Sequence, residues 1–498
     1  MGHGHEIHIQ QEQFTFAAKT KKFCYALIAI GVILTVIGIV TIPKDHGHHD
    51  EHGKKNAHTE ASAAEAVKPA DTMMHATGAV ETHEGHEPAA AATGHEMHDA
   101  HGNAHHNPIT LVGVDTLHNN EVAHPIVEEH SKPWYTRVYL NLLLNGYFLL
   151  LISVCGLFFF ALQYIANAGW ATQLLRIPQA MSTFIPVGAV LVLLVFILDG
   201  HNIYHWLHYE SLHLTKGQEG FDPILDNKSW FLNSKMAYGF LIGIPLVWFL
   251  FGKKLRGLSY REDAEGGLTF FNKSIRYSAA FTFVFGFTLS ILSWVVTMAI
   301  DAHWYSTIFS IYNFATGWVS CISIIALFVL FLKRNGYLPH VTDEHMHDLG
   351  KFMFAFSIFW TYLWLSQFLL IWYANIPEES VYYYKRWEMP FKINFFANLI
   401  LNFLTPFLVL MTRNNKRNPK IITLVAIIIL IGHWNDLYLM LMPGSIDKSA
   451  AIGPLEIGMT LTFAGIFIYW VLTALSKRGL IPVQHPYLGE SAHHDVGV

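Results

Sequence analysis

Residues 138–166 read VYLNLLLNGYFLLLISVCGLFFFALQYIA, 29 positions without an Asp, Glu, Lys, Arg or His. A helix rising 1.5 Å per residue crosses the roughly 30 Å hydrocarbon layer of a bilayer in about 20 residues. A stretch of this length and composition therefore spans a membrane, and it does so as a helix, because only a helix satisfies every backbone N–H and C=O within its own segment. The barrel alternative requires short segments alternating apolar and polar positions, a pattern missing from 138–166. Comparable runs lie near 23–42, 180–199, 230–251, 275–299, 306–332, 352–375, 392–411, 420–442 and 455–475. The expected fold class is an all-α polytopic membrane protein of about ten transmembrane helices.

Composition agrees with the runs. Of the 498 residues, 52% are hydrophobic and only 14% charged, against roughly a quarter charged in ordinary soluble domains. The net charge of -5 is small, and no basic patch or aromatic nucleic-acid signature is present, so nucleic acid is excluded as a partner. The three cysteines, Cys24, Cys155 and Cys321, each sit in an apolar run without a CxxC or CxxCH, so the sequence contains no c-type haem attachment motif and no iron–sulfur ligand set.

The first run follows Lys19, Lys21 and Lys22 but is too long for a signal peptide, and no clean small-residue cleavage site follows it. It is read as an uncleaved first helix, 23–42, after a cytoplasmic segment 1–22. Counting lysines and arginines in the short loops, with Lys253, Lys254, Arg256, Arg261, Lys273 and Arg276 in one of them, puts both termini in the cytoplasm. The loop 43–136 then lies on the periplasmic side. It holds sixteen of the 31 histidines and too little apolar content to fold alone. A transmembrane core of about nine helices follows over 137–476, and a cytoplasmic tail over 477–498.

Ionisable residues in or beside spans are costly and mark pathways or partners. With this orientation the periplasmic ends carry Asp199, His201, His205, Asp301, His303, Glu378, Glu379, Asp436 and Glu456, with His433 one turn deeper. The cytoplasmic ends carry His345, His347, Asp348 and Lys351. Between them lie hydroxyls and amides rather than charges: Ser293, Thr297, Thr361 and Gln367, together with Ser290 and Ser366. Two polar half-channels entering from opposite faces fit this distribution better than a continuous ion pore. Serine and threonine also bond their own helix backbone, which is the plainer reading of any single hydroxyl. Asp301 and His303, two residues apart, form a candidate acid–imidazole pair for proton exchange. His201, His205 and His208 would share one face of a helix continuing past Asp199, and Trp360, Trp364 and Trp372 would line a quinone-sized aromatic pocket if they converge.

Two long stretches carry a family resemblance. SWVVTMAIDAHWYST at 293–307 and HMHDLGKFMFAFSIFWTYLWLSQFLLIWYANIPEE at 345–379, supported by IGHWNDLYLMLMPG from Ile431 and PLEIG from Pro454, resemble the ActF-type membrane subunit of bacterial alternative complex III, a quinol:cytochrome c oxidoreductase. The similarity spans roughly 135–480. Many members carry an acidic residue where this chain has Trp294, Val295 and Val296. The resemblance implies an NrfD-like fold of ten helices, with helices 2–5 and 6–9 forming two four-helix bundles plus flanking helices, in the bacterial inner membrane. It implies a largely structural subunit with a part in proton movement and no redox centre of its own. The implied partners are a second NrfD-like subunit that binds quinol (menaquinol is a candidate), an iron–sulfur protein, multihaem and monohaem cytochromes c that bring iron–sulfur clusters and haem c, and a terminal oxidase downstream.

Two other classes compete. A divalent metal transporter would explain the His-rich loop but needs His and Asp ligands converging near mid-membrane. A haem-b quinol-oxidising subunit needs imidazoles paired across helices, and His433 is the sole histidine well inside a span.

Overall fold

The computed structural model describes residues 12–42, 132–218, 220–446 and 451–495. The His-rich loop thus lies outside the described residues apart from its last few positions. Ten helices are long and apolar enough to cross a membrane: α1 (Ala18–Thr41), α2 (Thr136–Ile165), α3 (Arg176–Ile203), α4 (Ser234–Glu265), α5 (Leu268–Val296), α6 (Phe309–Arg334), α7 (Asp343–Ala374), α8 (Phe391–Val409), α9 (Pro419–Leu441) and α10 (Pro454–Ser476). Each overlaps a run found in the sequence. The chain is an all-α polytopic membrane protein, with no named strand among the described residues.

Ten passes bring both ends of the described chain to one side, the terminal end, where Gln13 pairs with Gly479 in an isolated bridge. The opposite side is called the distal end. Helices α2, α3, α4 and α5 close one ring, each touching the next, and α6, α7, α8 and α9 close a second. The rings meet through α2 and α6, the most enclosed helices: 83% of the apolar window of each is buried, against 17% for α1. The two four-helix bundles are therefore present, with α1 and α10 as a flanking pair.

Inside a membrane there is no water to drive apolar faces together, so helices associate where backbones approach closely. The α1–α10 pair shows the device. A Cβ on Gly31 would stand 2.5 Å from the backbone nitrogen of Thr462, and one on Gly458 would stand 2.4 Å from that of Thr35. Seven-residue spacing, from Gly31 to Gly38 and from Gly458 to Gly465, keeps these small positions on one face.

Several helix ends differ from expectation. The basic residues assigned to a loop near 253–276 are helical. Only Gly266 and Gly267, with φ of 67° and 76°, separate α4 from α5, so Lys253, Lys254, Arg256 and Arg261 ride on α4, and Lys273 and Arg276 on α5. The apolar run ends where hydrocarbon would end, but nothing in the charged continuation breaks a helix before the glycine pair. Near Asp199 the reverse occurs. The helix kinks at Asp199 (φ -142°) and breaks at Tyr204 (φ -105°, ψ 105°), so His201, His205 and His208 do not lie on one continuous helix.

Candidate functional site

The most enclosed acid in the second bundle is Asp436, in the last turns of α9, 1% exposed. Four donors from three other helices meet it. Tyr312 and Asn398 donate to Oδ1, the latter at 2.7 Å. Thr316 donates to Oδ2 at 2.8 Å and Trp360 Nε1 at 3.0 Å. A carboxylate is an acceptor only, and four donors fill its lone-pair directions. The Thr316 hydroxyl also has the Tyr312 carbonyl within reach at 3.3 Å. Turned that way, it presents its own oxygen to a protonated Asp436, so the pocket tolerates both proton states.

Local sequence explains the convergence. Tyr312, Thr316, Ser320 and Ser323 lie on one face of α6 at helical spacing, all buried. α8 contains a π turn at Ile400–Leu404 just before Pro406, whose ring cannot donate to the helix. Asn402, within that turn, donates to Asn398 Oδ1 at 2.7 Å and extends the Asp436 network inward. Gly432 of α9 admits Asn402, since a Cβ there would stand 2.8 Å from the amide carbon. His433, beside it, has both ring nitrogens buried without a partner, its ring lying edge-on to Trp360 at 5.5 Å.

Toward the distal end a cavity of ≈ 20 Å³ touches Asp436, Gln367 and Arg386. That is room for about one water. Arg386 comes from the short helix Pro377–Trp387, which lies across the distal end. Its Nε donates to the Leu439 carbonyl at 2.9 Å, its Nη1 to the Tyr382 carbonyl at 2.5 Å, and its Nη2 to Asp301 Oδ2 at 3.1 Å. A guanidinium at the exit of α9 satisfies carbonyls the helix leaves unpaired and opposes its dipole. Asp301 also pairs with Lys385 at 3.3 Å, and Lys385 is 45% exposed, so this row of charges reaches the surface. Burial pushes the Tyr382 hydroxyl up to about 12, against the opposing pull of Arg386.

The other distal residues divide into separate groups. His303 does not pair with Asp301; it bonds Asp222, a residue the sequence did not single out. Burial alone would raise the Asp222 carboxyl, but the His303 bond and the Leu225 and Ile224 N–H groups hold it below the usual range. His205, 6.2 Å from His303 ring to ring, is pushed down by burial and by that neighbouring imidazole. Glu456 accepts from Arg137 Nε at 2.9 Å, from Asn141 at 3.0 Å and from the Gly453 N–H at 2.8 Å, which makes it a cap for α10. Asp199 accepts from Asn202 at 2.6 Å at the kink, and His201 is exposed. Glu378 and Glu379 sit in the first turn of Pro377–Trp387, where negative charge suits the helix dipole.

The interior hydroxyls largely take their plainer role. Ser293 donates to the Leu289 carbonyl at 2.8 Å, Thr297 to that of Ser293 at 2.7 Å, and Thr361 to that of Ser357 at 2.8 Å. Thr297 in addition accepts from Asn313 at 3.2 Å. Trp360 and Trp364 stack at 6.0 Å, but Trp372 is 58% exposed, so the three do not converge on a pocket.

At the terminal end a second cluster forms around Asp348 in the second turn of α7. Lys351 pairs with it at 2.5 Å, and His494, from the C-terminal tail, at 2.7 Å. His347 stands 3.9 Å from both Asp348 and Glu344, and Glu344 pairs with Arg417 at 2.5 Å. The tail is docked rather than loose: His345 and Trp170 both reach Ser491. From Asp348 to Ser357, the first buried hydroxyl inward on α7, nine residues span about 13 Å. Leu349, Met353, Ile422 and Val425 are among the buried apolar residues at that level.

Sequence reading missed Arg386, Asn398, Asn402, Tyr312 and His494. Among the described residues no group of three or more His, Cys, Asp and Glu is placed to hold a metal ion. Compared with known proteins, the chain matches no family model and no curated sequence.

Proposed function

We propose that this chain is a membrane subunit of a quinol:cytochrome c oxidoreductase of the alternative complex III type, without a redox centre of its own, that conducts protons through two polar half-channels. It sits in a bacterial inner membrane with both termini cytoplasmic, so that the distal end is periplasmic. Quinol, menaquinol in this reading, is oxidised on a second NrfD-like subunit, and electrons leave through an iron–sulfur protein and cytochromes c toward a terminal oxidase.

The observation that carries the reading is the Asp436 site. An acid whose four donors include a hydroxyl able to turn away, beside a one-water cavity and an Arg386–Asp301–Lys385 row leading to the surface, is arranged to take up a proton and release it outward. In chemical terms, Asp436 takes the proton while the Thr316 hydroxyl turns toward the Tyr312 carbonyl. It passes the proton to water in the cavity, and the Arg386 charge lining that cavity favours the ionised carboxylate and so the release. The Asp348–His494 cluster is the opposite mouth. The apolar layer between them keeps the halves from short-circuiting.

The metal-transporter reading has no support in the described spans, where no ligand group is assembled. The test is Asp436→Asn in the intact complex, with protons released per electron measured by a pH dye during quinol oxidation. The proposal expects that ratio to fall while cytochrome reduction by a single turnover persists. An unchanged ratio would remove Asp436 from the path.

A further inference from the structure

On the terminal end, sharing no lining residue with the Asp348 cluster, a cavity of ≈ 390 Å³ opens between α3, the end of α4 and the end of α10. Its volume falls in the range of small-ligand sites, about 300–1,000 Å³. Arg176, Tyr260, Lys477 and Arg478 line one part, and Ala180, Thr183, Trp470 and Leu475 are among the residues lining the rest.

The charge count on this wall is unbalanced. Arg176 is neutralised by Asp263 and held by Gln179 at 2.7 Å and Ser259 at 3.2 Å. Its charge is therefore used within the protein, and the residue is only 4% exposed. Lys477 and Arg478 form no ion pair among the described residues, and Arg478 lies over the Tyr260 ring at 4.7 Å, which fixes its direction without spending its charge. Two cations without an ion-pair partner among the described residues thus line this cavity.

Position identifies the ligand class. Trp470, bonded to Thr183 at 3.0 Å and 41% exposed, and the nearby Tyr469 and Tyr25 form an aromatic belt near the start of α1 and the end of α10. Tryptophan and tyrosine mark the headgroup level of a bilayer. Lys21, over the Phe16 ring that packs against Tyr469, brings further positive charge to the same side.

The geometry points to a binding site for the phosphate headgroup of an anionic membrane phospholipid. The phosphate is held by Lys477 and Arg478, and the acyl chains pass along Ala180, Leu475 and the Trp470 ring. Basic pockets between membrane helices are suited to such headgroups, and they differ from a bulk anion site in needing the apolar wall as well.

Native mass spectrometry of the full chain in neutral detergent, after exposure to mixed micelles containing phosphatidylglycerol or phosphatidylcholine, tests this. Phosphatidylglycerol is retained in preference to phosphatidylcholine. Lys477→Gln with Arg478→Gln weakens retention about thirtyfold. The charge-keeping exchange Lys477→Arg with Arg478→Lys preserves it, as does removal of distal charge by Lys216→Gln with Lys235→Gln. Equal retention of both lipids, or undiminished retention by the glutamine pair, overturns the site. Displacement of phosphatidylglycerol by millimolar inorganic phosphate overturns the lipid as its occupant.

Discussion

Asp436 and Arg386 show how differently two partners in one network can register in a sequence. An Asp six residues before the end of an apolar run attracts notice, because a charge there is costly unless it is satisfied. Arg386 follows Tyr382, Tyr383 and Tyr384 in a segment that looks like an ordinary interfacial loop, and its contacts with Leu439, Met440 and Asp301 join positions 53 to 85 residues apart. Linear spacing contains no trace of them. Removing the guanidinium leaves Asp301, 10% exposed, facing only Lys385, and strands the last carbonyls of α9. Breaking such a pair costs about 3–5 kcal/mol. Arg386→Gln is therefore expected to lower the thermal unfolding midpoint in detergent, with Asp301→Asn lowering it less. Equal midpoints for Arg386→Gln and the unmodified protein would contradict the buried bridge.

His485 gives a pH dependence. Burial, aided by the Arg176 charge, pushes its imidazole down to about 4, and its Nδ1 accepts from the Tyr487 N–H at 3.3 Å. In an unfolded chain the group titrates near 6.5. Between pH 6.5 and 4 the undocked tail therefore takes up a proton that the docked tail refuses, and docking weakens as pH falls through that window, levelling off below it. Hydrogen exchange over 480–492, corrected for intrinsic rate, is expected to speed up between pH 7 and pH 5. His485→Phe should abolish most of the difference, and a difference that survives it would assign the effect elsewhere.

At the scale of single helices, hydropathy located every span but not every helix end. It reads where the hydrocarbon stops. The helix stops where a residue can no longer continue it, which for α4 is Gly266, 15 residues past Phe251 at the end of the apolar run. The glycine pair is the local signal for that end. The π turn of α8 had a signal too, in Pro406, but a proline alone does not say whether a helix ends, kinks or absorbs it. The α1–α10 contact rests on glycines rather than on apolar area, which makes it sensitive to size. Gly31→Leu is expected to separate the pair and expose Cys24, which is fully buried, to N-ethylmaleimide, while Cys155 and Cys321 stay unlabelled. Labelling of Cys24 unchanged by the substitution would mean that other contacts hold α1 in place.

For the molecule as a whole, two four-helix rings joined at α2 and α6 place polar groups at both ends and an apolar layer between them. The number of spans and the concentration of acids at the distal end were legible in the sequence, because each follows from composition along a single helix, whereas the paired bundles were an expectation from the family resemblance alone. Which acids meet was not legible. Asp301 turned to Arg386 instead of His303, and Asp348 drew His494 from the far end of the chain. The proposed role in quinol oxidation adds to this architecture the resemblance of 293–307 and 345–379 to one respiratory family, and it requires partners that carry the electrons. Purification of the tagged chain from native membranes in mild detergent, followed by a visible spectrum and subunit identification, tests that requirement most directly. The account predicts co-purification of multihaem cytochrome c and an iron–sulfur subunit in fixed ratio, with quinol:cytochrome c activity. A chain that purifies alone with stoichiometric haem b, or in a complex devoid of cytochrome c, would contradict it.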